Sequence, residues 1–107
     1  MNKKVNIAVI GLGQIGSYLL NELSKKKNEI KLKTGKILNI VAISAKNKNK
    51  KRKFKINKKI FYTNPLEIIE KEKIDILFEV IGLSDGISKK VVEKALKNKI
   101  NVITPNK

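Results

Sequence analysis

Hydrophobic residues in this chain fall into short continuous runs and helically spaced sets, separated by charged stretches. Val5 to Ile10, "VNIAVI", is apolar except for Asn6, the pattern of a parallel strand covered on both faces. The chain then passes through "GLGQIG" into "SYLLNELSKKKNEI". There Ile15, Leu19, Leu20 and Leu23 recur at helical spacing, with charge on the opposite face. Ile37 to Ile43 predicts a second strand, and "KIFYT" a short third one. "TNPLEIIEKE" carries the clearest helix start: Asn64 as cap, Pro65 at the first helical position, and Glu67 where a capping box places its acid. "IDILFEVIG" predicts a fourth strand, Ile74 to Ile81, closed by Gly82. "SDGISKKVVEKALKNK" predicts a helix capped by Ser84 or Asp85, with Val91, Val92, Ala95 and Leu96 facing inward, and "INVIT" predicts a fifth strand.

Strands and helices thus alternate without an internal repeat. That order predicts an α/β fold: a Rossmann-type doubly wound parallel sheet with right-handed crossovers and strand order 3-2-1-4-5. At 107 residues the chain fits a single domain, residues 1–107.

The glycines give this pattern its first chemistry. Gly11-Leu12-Gly13-Gln14-Ile15-Gly16 matches G-x-G-x-x-G directly after a strand and at the opening of a helix. In that setting Gly11 permits the tight turn, Gly13 lets a pyrophosphate approach the backbone, and Gly16 lets helix and strand pack closely. The helix N-terminus adds amide donors and a partial positive charge. An NAD-selective site usually sets Asp or Glu at the end of the second strand, against the ribose 2′-hydroxyl. Here no carboxylate occurs from Ser44 through Lys59, and Lys46 leads a cluster of cations suited to a 2′-phosphate. NADP is therefore the expected cofactor, with NAD as the alternative.

Charge and composition narrow the classes further. The chain has 25 basic and 9 acidic residues, a net charge of +16. Only Arg52 among the cations is an arginine, and Lys, Asn and Ile make up about half the chain, the usage of an AT-rich genome. Most lysines are accordingly read as a solvated surface. The segment "KNKNKKRKFKINKK" interleaves only Phe54 as an aromatic and so lacks a stacking platform for nucleic acid. No nucleic-acid partner is expected. With no cysteine and no histidine, disulfides, thiolate metal sites, the usual zinc sites and the usual general base are excluded, and no metal site is expected. No stretch is long enough to span a bilayer and the start lacks a signal peptide, so a cytoplasmic protein without a membrane partner is expected.

At this point the sequence resembles a known family, the N-terminal domain of homoserine dehydrogenase. The resemblance covers nearly the whole chain. It rests on "IAVIGLGQIGSYLLNEL", "LNIVAIS", "IDILFEVIG" followed by a helix, and the ending "NVITPNK". The first is shared by many dehydrogenases; the fourth strand joined to a T-x-N-K ending is more specific. The resemblance implies NAD(P)H-dependent interconversion of aspartate semialdehyde and homoserine, on the route to threonine and methionine. It implies that the glycine loop, Leu12, Gln14 and Ile15 included, faces the pyrophosphate, and that Lys46 lies near the 2′-phosphate. It further implies that Ile81 and Gly82 border the nicotinamide half. Lys107 falls on the lysine of the T-x-N-K motif, between cofactor and substrate, and is the implied catalytic residue.

In that family a second domain binds the semialdehyde and carries the dimer interface. A substrate domain is absent from these 107 residues, so the end at Lys107 reads as a cut. The isolated chain is expected to bind dinucleotide weakly and to be inactive, and the full-length enzyme to be a homo-oligomer. Glu79, the acid nearest the strand tips, is read as part of the fold and not as a base. Two other readings stand beside this one: the cofactor domain of another dehydrogenase, such as an aspartate dehydrogenase, and a nucleotide-sensing or nucleic-acid-binding module.

A net charge of +16 on so small a domain implies strong self-repulsion, which salt screens. The melting temperature should therefore rise as sodium chloride is added; a fall, followed by circular dichroism, would contradict this expectation.

Overall fold

β1, Lys3–Ile10, runs through the centre of the sheet, and Ile7, Ala8, Val9 and Ile10 are all at most 1% exposed. Burial on both faces is why the run is continuously apolar where a one-sided strand would alternate. The computed structural model describes residues 3–12, 14–45, 58–81 and 86–104. β2, Lys36–Ser44, lies parallel to one side of β1, and β4, Ile76–Glu79, parallel to the other. The short β3, Phe61–Tyr62, follows a 3-10 turn at Lys58–Ile60 and adds outside β2, while β5, Asn101–Ile103, adds outside β4. The order is β3-β2-β1-β4-β5, as the alternation of elements predicted. Ile7 pairs with Ile40 but Ala8 with Ala42, so Val41 is an extra residue that bulges β2.

Asn6, the polar break in the first strand, has a structural use. Its N–H donates to Asp75 Oδ2 at 2.7 Å and its side-chain amide to the Lys73 carbonyl at 2.9 Å. Asp75 N–H returns a bond to the Asn6 carbonyl at 2.9 Å, and Asn101 N–H reaches the Asp75 carbonyl. Asn6 and Asp75 together tie the entry ends of β1, β4 and β5.

The helices cover the two faces unequally. α3, Pro65–Lys71, and α4, Gly86–Lys97, pack Ile68, Ile69, Val91 and Ala95 onto Ala8, Ile10 and Leu77. On the opposite face α1, Gln14–Lys25, brings Leu20 onto Ile7, Val9 and Ile43, with Leu19 and Leu23 half-buried around it. Two inward assignments need correction: Ile15 is 57% exposed and Leu96 59%. In α1 the stripe that faces the sheet runs through Gly16, Leu20 and Leu23, because the helix approaches most closely where it has no side chain. Ile15 sits about a hundred degrees off that line. In α4, Val91 and Ala95 point inward together with the buried Ser88, which leaves Leu96 on the far side.

A further helix also departs from expectation. The charged continuation of α1 is broken at Lys26 and restarts as α2, Lys27–Thr34, which buries no residue and ends at Gly35 with φ of 73°. Gly35 donates its N–H to the Lys31 carbonyl, a left-handed C-terminal cap. At α3 the Asn64 side chain caps Leu66 N–H at 3.0 Å, while the Glu67 carboxylate pairs with Lys71 at 3.3 Å. The predicted capping box is therefore present in its Asn64 half. None of the described helices is long and apolar enough to cross a membrane.

α3 and α4 are also joined by an ion pair between Glu70 and Lys94. The hydrogen bond from Lys94, then its charge, holds the Glu70 carboxyl below its ordinary value of 4.5. A depressed folded value means that this contribution is complete above the unfolded value and is lost as pH falls through the folded one. The unfolding midpoint should therefore drop with pH below about 4.5, and Glu70→Gln should make that acid limb shallower. Identical acid limbs in urea titrations of the two proteins would show the pair to be inert.

Candidate dinucleotide-binding site

β1 delivers Gly11 to the point where the strand order reverses, with β2 on one side and β4 on the other. In a doubly wound sheet this switch point opens the crevice that receives ligands. The turn is fixed on both flanks. Gly11 N–H donates to the Ser44 carbonyl at the end of β2, at 2.7 Å, and Val80 N–H to the Ile10 carbonyl, at 2.8 Å. Gly11 has φ of 100°, and a Cβ there would lie 2.9 Å from the Val80 carbonyl and Ile81 nitrogen. Both the dihedral and the contact require glycine.

Gly16 is constrained more tightly. A Cβ on it would stand 1.9 Å from the Gly11 carbonyl oxygen, so the first turn of α1 rests directly on the glycine turn. Ser17 Oγ adds a bond to the Leu12 carbonyl at 3.3 Å. The seating of Gly16 on the turn brings the amides of α1's first turn to the C-terminal edge of the sheet, beside the switch point. A compact turn opening on glycine, backed by a helix N-terminus, fits the pyrophosphate of a dinucleotide.

The predicted site residues distribute as follows. Gly11, Leu12, Gln14, Ile15, Gly16 and Ile81 lie around this turn, but Leu12 is buried against Leu20 and Val80 and offers only its backbone. Gln14 opens α1, and Ile15 stands exposed on its first turn. Ile81 is half-buried at the exit of β4. Gly13, Lys46, Gly82 and Lys107 lie outside the described residues, as do the candidate caps Ser84 and Asp85. Among the described residues no group of His, Cys, Asp or Glu side chains is arranged to hold a metal.

One feature of this rim was not legible beforehand. Glu79, the last residue of β4, is 1% exposed. Its Oε2 accepts from Ile81 N–H at 2.8 Å and its Oε1 from the Thr104 hydroxyl, also at 2.8 Å. Its only signal in the sequence is a lone carboxyl group in an otherwise apolar strand.

A family model described as the NAD-binding domain of homoserine dehydrogenase matches residues 11–107. The chain belongs to this homoserine dehydrogenase family. Curated homoserine dehydrogenases resemble it over nearly all of its length, the Neisseria gonorrhoeae enzyme at 30% identity and the Bacillus subtilis enzyme at 27%, each over 105 residues. The crystal structure of Staphylococcus aureus homoserine dehydrogenase at pH 6.5 superposes with a TM-score of 0.89 at 33% identity, over 99% of this chain and 27% of that one. The Thiobacillus denitrificans enzyme does so at 0.78 and 25% identity. The chain covers 24% of each of the two curated relatives, so it spans about a quarter of a homoserine dehydrogenase and corresponds to the nicotinamide-cofactor-binding domain.

The contact between Gly16 and the turn is backbone against backbone and can be relieved only by moving α1. Gly16→Ala should cost about 2 kcal/mol or more, as overpacking does. Gly86→Ala is the control, because among the described residues a Cβ there meets no atom within 4 Å beyond its own chain neighbours and helix backbone. Equal urea midpoints for the two variants would refute the close approach.

Proposed function

We propose that the chain is the cofactor-binding domain of an NADP-preferring homoserine dehydrogenase, which interconverts aspartate semialdehyde and homoserine in threonine and methionine biosynthesis. The observation that carries this reading is the glycine turn seated at the switch point of a sheet belonging to this family. Backbone amides after Gly11, from Leu12 to Gly16, would hold the pyrophosphate, while Ile81 and Gly82 would border the nicotinamide half. The absence of any carboxylate from Ser44 through Lys59, with Lys46 at the head of a cationic run, supports a 2′-phosphate over a free ribose hydroxyl.

When bound, the reduced cofactor supplies a hydride to the semialdehyde carbonyl. This chain's part in that step falls to Lys107: its Nζ stabilises the negative charge that grows on the carbonyl oxygen, or hands that oxygen a proton. The substrate's own binding groups, and the contacts between subunits, belong to a further domain. These residues by themselves bind dinucleotide without efficient turnover.

Titration with NADPH and with NADH, followed by nucleotide fluorescence, should show tighter binding of NADPH. Lys46→Ala should erase on the order of tenfold of that preference, the worth of one charge-assisted contact. Homoserine oxidation by the chain should be negligible, and turnover matching a full-length enzyme would defeat the proposed division of labour. A chain that binds neither nucleotide yet retards duplex DNA at moderate salt would instead be a nucleic-acid module.

A further inference from the structure

The parallel ladder between β4 and β5 ends at the pair Phe78 and Ile103. One residue further on, Glu79 and Thr104 stand side by side, and a side-chain bond takes over from the ladder. The Glu79 carboxyl group has lost almost all contact with water, so its hydrogen bonds are expensive to lose. One oxygen holds the backbone of its own exit loop at Ile81, and the other holds the hydroxyl of the neighbouring exit loop at Thr104. The Ile81 nitrogen is the same atom that lies against Gly11, at 2.9 Å from a Cβ placed there. A single carboxyl group thus connects the exit of β4 to that of β5, on the backbone that also braces the glycine turn.

We propose that Glu79 is a positioning residue for the nicotinamide half of the site. By latching Thr104 to Ile81 it sets where the chain leaves β5, three residues ahead of Lys107 in the sequence. The proposal rests on the nicotinamide being received at this rim, as the proposed function has it. The groups are suited to this latch. Both carboxyl oxygens serve as acceptors, whereas an aliphatic side chain of similar size offers none to either partner. The threonine hydroxyl is needed as a donor, and a methyl group in its place leaves Glu79 short of a bond.

The test separates the two ends of the cofactor with two probes: 2′,5′-ADP, which carries only the adenine half, and NADPH. Thr104→Val should leave the affinity for 2′,5′-ADP within about twofold and weaken NADPH on the order of tenfold, the loss expected for one hydrogen bond to a charged group. Thr104→Ser should restore NADPH binding, and Glu79→Leu, which removes both acceptors, should behave as Thr104→Val does. If Glu79→Leu fails to fold, Thr104→Val, a near-isosteric change at a half-buried side chain, carries the test by itself. Equal weakening of both probes, no weakening of either, or failure of the serine to rescue would each overturn the positioning role. A wild-type chain that binds neither probe would overturn the dinucleotide-binding reading itself, and the positioning role with it.

Discussion

Everything at the functional edge of this domain depends on one backbone contact, the seating of α1 on the carbonyl of Gly11. The turn has neighbours on three sides: the end of β2 through the Ser44 carbonyl, the exit of β4 through Val80 and Ile81, and the helix through Gly16. The glycine approaches leave no room for a Cβ. Because the turn sits where the sheet reverses its order, the same crowding that excludes side chains also gathers the backbone amides of the helix start. Close packing and the reach of the helix start toward the switch point are here two consequences of the same missing atoms.

The remaining polar contacts of the sheet fall at its two ends and play opposite parts. At the entry end, Asn6 and Asp75 exchange backbone and side-chain bonds and align β1, β4 and β5 at the edge opposite the glycine turn. At the exit end, Glu79 does for the loops what those two residues do for the strands. The apolar middle between them, from Ile7 to Ile10 and at Leu77, needs no such direction because both its faces are covered. The Tyr62 hydroxyl, whose pKa is raised chiefly by its hydrogen bond to Glu72, adds a smaller tie from β3 to the end of α3.

Local pattern was a good guide where the physics is local. Asn64 and Pro65 begin a helix because a cap and a fixed φ act within one turn, and the glycine spacing encodes its own strand-turn-helix setting. It was a poorer guide to orientation. Ile15 and Leu96 are apolar and correctly spaced, yet they face outward, because a helix turns its inner side toward wherever its backbone approaches the sheet most closely. The break between α1 and α2 left no apolar signal, since α2 buries nothing; Gly35 was the one residue that marked its end.

By itself the sequence determined the alternation of strands and helices, hence the parallel sheet and its order, and the place of the glycine turn within it. Those follow from periodicity and from residues that act on their immediate neighbours. Only the tertiary structure decided that Glu79 would meet Thr104 across 25 positions, and Asn6 meet Asp75 across 69. Such pairs are set by which strands lie adjacent and in what register, and a hydrogen bond needs that register to within a fraction of a residue. A linear pattern can mark a carboxyl group as unusual in an apolar strand, but its partner is chosen by the fold.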